Sequence, residues 1–233
     1  LVGSEMGIRD SHFVRPVCRP QTLGRAVTNG CSEMATALVN GIITLMFNWT
    51  MLKYVGEDGV AAITIISYVL AFAGSLYAGY AYGVAPMLSF YYGEQNHEKL
   101  RKLVRTSLKI IGVIAAATVL VSLAVTEPLV SIFARPGTPV YDLAVAGNRI
   151  CSLALLFVGF NIFASGMFTA LSNGLISAVL AFSRTFVFTL IAMLVLPVIL
   201  GVTGIWLATP ATELAAVVLS AVMLLKYRRR YCY

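Results

Sequence analysis

Two carboxylates and one guanidinium lie inside long apolar runs: Glu33, Glu213 and Arg184. An acid in hydrocarbon must be protonated, paired or bound to a cation, so Glu33 and Glu213 are candidates for a functional ion site. Glu33 has polar company. On a helix Asn29, Thr36 and Asn40 fall with it inside about 60° of arc, and Thr44 and Asn48 extend the stripe. Facing lipid, these amides and hydroxyls would be unsatisfied, so the stripe should face protein or a water-filled cavity. Helix-to-helix hydrogen bonding is one reading of the Asn and Thr residues, and cavity lining is the other. For Glu33 the reading taken is a functional one, because an intramembrane carboxylate must be protonated, paired or ion-bound and desolvation raises its pKa.

Glu213 and Arg184 point first to each other. Counted from the cytoplasmic ends of their runs, their depths differ by only about 6 Å at 1.5 Å per residue. A structural ion pair between adjacent antiparallel helices is therefore expected, beside the alternative that Glu213 couples an ion. Tyr68, Ser75, Gly79, Tyr82 and Pro86 share a second arc of about 60°. Gly79 and Gly83 form a GxxxG pair whose default meaning is close packing, while Tyr68 and Tyr82, if they line a cavity, offer an organic cation their ring faces. Asn161, Ser165, Thr169 and Ser172 make a milder polar edge. Catalysis has no support: GxSxG, HExxH, a P-loop and an aspartate-rich diphosphate site are all missing. Cys18, Cys31, Cys151 and Cys232 have no paired spacing, and His12 and His97 have no third ligand nearby, so neither zinc nor a disulfide framework is expected.

Elements long enough to carry these residues follow from composition. In 233 residues 59% are apolar and 12% charged, against roughly 45–50% and about 25% in ordinary globular chains. Residues 60–93 contain no charge at all, a run well beyond the roughly 20 residues of a spanning helix. Apolar runs and turn signals give six spans: 27–52, 60–87, 106–125, 144–171, 175–196 and 202–225. The breaks fall at 56–59, 93–99, 136–139, 172–174 and 201–204, each rich in Gly, Pro or charge. The expected fold is an all-α, polytopic integral membrane bundle of six helices. Residues 1–24 read as a cytoplasmic linker, 25–226 as the transmembrane unit and 227–233 as a basic cytoplasmic tail. Leu1 is not an initiator methionine, so the chain reads as truncated at its N-terminus.

The net charge of +7 does not mark a nucleic-acid face, because the cations flank the apolar runs. Arg9, Arg15, Arg19, Arg25, Lys99, Arg101, Lys102, Arg105, Lys109, Lys226, Arg228, Arg229 and Arg230 fall on one side, against Lys53, Arg135 and Arg149 on the other. Cytoplasmic flanks collect Lys and Arg. Both termini are thus expected in the cytoplasm of a multi-pass plasma-membrane protein, as six spans require.

These segments also carry a resemblance. "NGCSEMATALVNGIITLMFNWTMLKYVGEDGVAAITI" and "YAGYAYGVAPMLSFYYGE" resemble the seventh and eighth helices of multidrug and toxic compound extrusion (MATE) transporters. "GEQNHEKLRKLVRTSLK" is similar to that family's cytoplasmic link into the next helix, "LAFSRTFVFTLIAMLVLP" to its eleventh helix and "GVTGIWLATPATELAA" to its twelfth. The resemblance covers residues 25–225 and implies the second six-helix lobe of a two-lobe, twelve-helix transporter. It further implies a missing N-terminal lobe as partner, drugs or toxic organic cations as substrates, H⁺ or Na⁺ as coupling ion in place of a cofactor, and Glu33 as the acid of the seventh helix. One departure stands out: some sodium-coupled members carry an Asp on the tenth helix, whereas no acid occurs here between Asp142 and Glu213. The alternatives are a flippase for a lipid-linked saccharide, which would want a strongly basic cavity, and a structural or regulatory membrane protein without a transport cycle.

Overall fold

The computed structural model describes residues 38–231. By internal contacts the chain divides into Leu1–Val39 and Asn40–Tyr233, and the helices below, from Asn40 onward, belong to the second unit. The first, α1, is helical over residues 38–54. It is followed by α2 (Glu57–Gly93), α3 (His97–Ala124), the short α4 (Thr126–Phe133), α5 (Pro139–Cys151), α6 (Leu155–Ala170), α7 (Gly174–Phe182), α8 (Thr189–Leu200) and α9 (Val202–Tyr231). A 3₁₀ turn, Ser152–Ala154, joins α5 to α6, and a π turn, Ser183–Phe188, joins α7 to α8. Among the described residues there is no strand. Five continuous segments are long and apolar enough to cross a membrane: Glu57–Gly93, His97–Ala124, Pro139–Ala170, Gly174–Leu200 and Val202–Arg228. Of the expected first span only the portion from residue 38 onward lies within the described residues.

Local chemistry sets the boundaries. Gly56, at φ 94°, turns the chain into α2, whose first turn carries Glu57 and Asp58 against the positive end of the helix dipole. Asn96 caps α3 by accepting from the Lys99 amide at 3.2 Å, and Asn173 caps α7 by accepting from the Ile176 amide at 3.3 Å. Thr138 caps α5 in front of Pro139, the position where proline's missing amide costs nothing. The helices overrun the expected spans: α2 has 37 residues, about 55 Å at 1.5 Å per residue, so it must tilt or project beyond a hydrocarbon layer about 30 Å thick. α9 likewise continues through the segment read as a tail to Tyr231, which is buried beside Phe168 and Tyr92.

α6 is the centre of the bundle, packed by α2, α3, α7 and α9, while α8 packs chiefly on α9. α2 buries Ala62, Ile66, Ala73, Tyr77, Ala81 and Leu88, a seam of small and apolar residues at four- and seven-residue steps. The opposite face of α2 is open. Contrary to the close packing expected of the GxxxG pair, a Cβ at Gly79 or Gly83 would meet nothing within 4 Å. Tight glycines lie elsewhere, Gly147 and Gly159 among them: a Cβ at Gly159 would come within 2.5 Å of the Tyr77 ring. Large side chains such as Phe72, Ile132 and Val198 point outward, each more than 70% exposed, as suits a surface solvated by lipid chains.

Candidate functional site

The polar centre of the lobe is built by three segments around α6. Asn161, Ser165 and Thr169 recur every four residues along one face of that helix. Arg184 projects from the π turn and Glu213 from α9. Arg184 Nε donates to Glu213 Oε1 at 2.8 Å, and Asn161 Nδ2 donates to Glu213 Oε2 at 2.7 Å and to the Glu213 main-chain carbonyl at 3.0 Å. Ser220, two helical turns beyond Glu213, donates to Asn161 Oδ1 at 3.0 Å. Both carboxylate oxygens are thereby satisfied by donors from two other segments, the condition for holding an acid in a low-dielectric interior. The guanidinium side chain is 26% exposed and the carboxylate 9%, so Glu213 sits behind Arg184.

In front of Arg184 is a cleft of about 260 Å³, lined by Tyr82, Ser165, Thr169, Arg184, Thr185 and Ser220 among others. Ser165 and Thr169 are tied to the next helix through Ser177, with Oγ separations of 3.0 and 2.7 Å. The π turn widens the backbone where Arg184 leaves it. The Thr189 hydroxyl donates to the Arg184 carbonyl at 3.1 Å, a side-chain bond that braces the end of the turn. Pro210 acts nearby in a different way. Lacking an amide proton it leaves the Trp206 carbonyl without its helical donor, and the Cys151 thiol supplies one at 3.4 Å.

A second, wider cavity of about 780 Å³ lies between α1 and α2, lined by Asn48, Trp49, Thr64 and Tyr68, with Phe133 of α4 at its edge. The tyrosine face expected to line one cavity therefore divides: Tyr68 goes to this groove and Tyr82 to the cleft. Asn48 joins Tyr68. Asn40 and Thr44 are exposed on α1, where the Thr44 hydroxyl donates to the Asn40 carbonyl at 2.9 Å. Ser75 is exposed and bonds its own helix at Ala71. Asn29, Glu33 and Thr36 lie outside the described residues.

Sequence reasoning missed Tyr77, Ser177, Thr185 and Ser220. Tyr77 stands nine residues after Tyr68, hence on the opposite face of α2. Its buried hydroxyl lies 2.6 Å from Thr118 Oγ1 and donates to the Leu155 carbonyl at 2.8 Å, joining α2, α3 and α6. Ser177 and Ser220 are single hydroxyls in apolar runs, and only their partners give them meaning.

Against known proteins, the family model described as MatE matches residues 34–195, more than half of the chain. Among solved structures, an inward-facing multidrug resistance MATE family transporter of the MOP superfamily is similar at TM-score 0.81 and 22% identity, over 96% of this chain and 50% of that one. The outward-facing conformation of such a transporter gives TM-score 0.78 and 21% identity over the same shares. The Vibrio cholerae MATE transporter VcmN in its bent form gives 0.80 and 19%, over 99% and 53%. The chain thus spans about half the length of the structures it matches. No curated protein matches it significantly.

Proposed function

The chain belongs to the MATE family of membrane transporters, and from that membership we propose that it is the second six-helix lobe of an antiporter that exports organic compounds, often cationic and aromatic, in exchange for H⁺ or Na⁺. One observation carries the reading. The MatE match runs from residue 34 to residue 195, so it takes in α2 to α7, most of α8 and the described part of α1, and with them the α6 and π-turn walls of the cleft. In this reading residues 1–24 link to a partner lobe, residues 227–233 follow the last span, both ends face the cytoplasm of a plasma-membrane protein, and drugs reach the cavities from between the lobes.

Glu33 supplies the coupling in this proposal. It is ionised while a cationic substrate faces it and neutral when H⁺ or Na⁺ replaces that substrate, and each ligand favours a different arrangement of the lobes. Glu213 is less suited to the same task, since two donors already occupy its oxygens. A lipid-linked saccharide flippase fits less well, because its diphosphate would need several uncompensated cations. Arg184 is the one Lys or Arg that lines either cavity described above.

The test is efflux of ethidium from cells that lack their own multidrug pumps and express the natural full-length polypeptide. Export should collapse with the H⁺ or the Na⁺ gradient, and Glu33→Gln should abolish that dependence at normal expression. Export no greater than that of empty cells would end the transport reading. An unchanged ion dependence in Glu33→Gln would remove Glu33 from it.

A further inference from the structure

The cleft in front of Arg184 has the wrong polarity for an organic cation. No carboxylate lines it, and Glu213 stands behind the guanidinium with both oxygens occupied. What faces the open space is the other end of Arg184. Only Nε is used in the ion pair, and neither terminal nitrogen has a hydrogen-bond partner among the described residues. The neighbouring Thr185 hydroxyl, also in the wall of the cleft, has none either. Two parallel N–H groups of a guanidinium match the two oxygens of a planar oxyanion. Tyr82 lines the same space with its side chain largely uncovered, the residue being 76% exposed, which presents a ring face for stacking. At about 260 Å³ the cleft has room for a carboxylate and a small ring system, below the roughly 300–1,000 Å³ that encloses a whole drug-sized ligand.

We propose that this cleft is a carboxylate subsite, in which the terminal nitrogens of Arg184 and the Thr185 hydroxyl hold the carboxylate of an aromatic substrate whose ring rests against Tyr82. Glu213 and Asn161 are positioning residues: they fix Nε and so aim the free fork into the cleft. The assignment of the ligand as a transported substrate rests on the antiporter reading; the carboxylate chemistry rests on the cleft alone. It extends the expected substrates beyond organic cations to aromatic acids. A lipid phosphate carries the same oxyanion chemistry, but a two-chain lipid would have to present its headgroup at the depth of Arg184, about 15 Å along the helix from Gly174, inside the apolar run.

The experiment compares 1-naphthoate with its methyl ester, read by ligand fluorescence, on the natural full-length polypeptide in phosphatidylcholine nanodiscs. The acid should bind roughly tenfold more tightly than the ester, as a charge-assisted bidentate contact implies. Arg184→Lys keeps a cation opposite Glu213 but loses the fork. The double variant Arg184→Gln/Glu213→Gln removes both charges together, so that no lone charge is left buried. Both should bring the acid-to-ester ratio close to one while ester binding persists. Equal binding of acid and ester to the unaltered protein would overturn the proposal, as would an acid preference that survives in both variants. Displacement of naphthoate by phosphatidylglycerol at lower concentration than by benzoate would give the fork to a lipid headgroup and also overturn it. Ethidium export with no acid preference would leave the transport reading standing without this subsite. Acid preference with no export of ethidium or naphthoate would do the reverse.

Discussion

The Arg184–Glu213 pair should respond very differently to losing one partner than to losing both. Replacing Arg184 by Met leaves Glu213, a residue 7% exposed, with Asn161 as its only side-chain donor. Breaking a buried pair from one side costs about 3–5 kcal/mol, and an uncompensated acid in a membrane helix costs about 2.5–3.5 kcal/mol on insertion scales. A loss of about 3 kcal/mol is therefore expected for Arg184→Met. Glu213→Leu strands the guanidinium instead. Because that side chain is 26% exposed toward the cleft, water can solvate it, and the loss should be smaller, about 1–2 kcal/mol after allowing for that screening. The double variant Arg184→Met/Glu213→Leu replaces the pair by apolar groups of similar size and should fall within about 1 kcal/mol of the parent. Thermal unfolding in lipid nanodiscs reads these differences, at roughly 2–4 °C per kcal/mol for a chain of this size. Additive losses in the double variant, or an Arg184→Met protein as stable as the parent, would refute the account of a mutually dependent pair.

Packing makes a sharper local prediction at Gly159, where Tyr77 is held in place by Thr118 and the Leu155 carbonyl and cannot give way to a Cβ. Gly159→Ala should cost about 1–3 kcal/mol by overpacking and Gly79→Ala should be neutral in the same unfolding assay; equal effects would show that the α2–α6 contact is looser than described. On α1, a cysteine at the exposed Asn40 or the groove-lining Asn48, in a background freed of the natural cysteines, should react with a water-soluble maleimide. Blocked labelling at both positions would favour a structural protein over a transporter.

The spans were legible because charge is so scarce: a charge-free stretch from 60 to 93 admits few other readings. The pairing of Arg184 with Glu213 was legible too, since two opposite charges at similar depth have few other ways to be accommodated. Periodicity alone could not tell the packed face of α2 from the open one. It picked out Tyr68, Ser75, Gly79 and Tyr82 as one polar, small-residue face, but the buried seam is the opposite one, and its tyrosine is Tyr77. A polar face and a packed face can both look special on a helical wheel, and burial decides between them only after neighbours are known. α4 escaped notice because its eight residues, Thr126–Phe133, are too short to show a period and lie between a span end and the proline turn. The π turn has no composition of its own, for Ser183–Phe188 reads as ordinary helix until the backbone is seen.

The pairing of Arg184 with Glu213 also has an electrical consequence. One elementary charge carried across the membrane potential exchanges about 2.3 kcal/mol per 100 mV, a substantial share of what an ion gradient delivers. Two opposite charges joined at 2.8 Å travel together, so the work the field does on one cancels the work it does on the other. In the rocking cycle of the proposed antiporter, this pair would therefore pass through the voltage drop at almost no net electrical cost. In the proposed antiporter any dependence of turnover on membrane voltage then belongs to other charges, Glu33, the coupling ion and the substrate among them, and not to Arg184 with its partner.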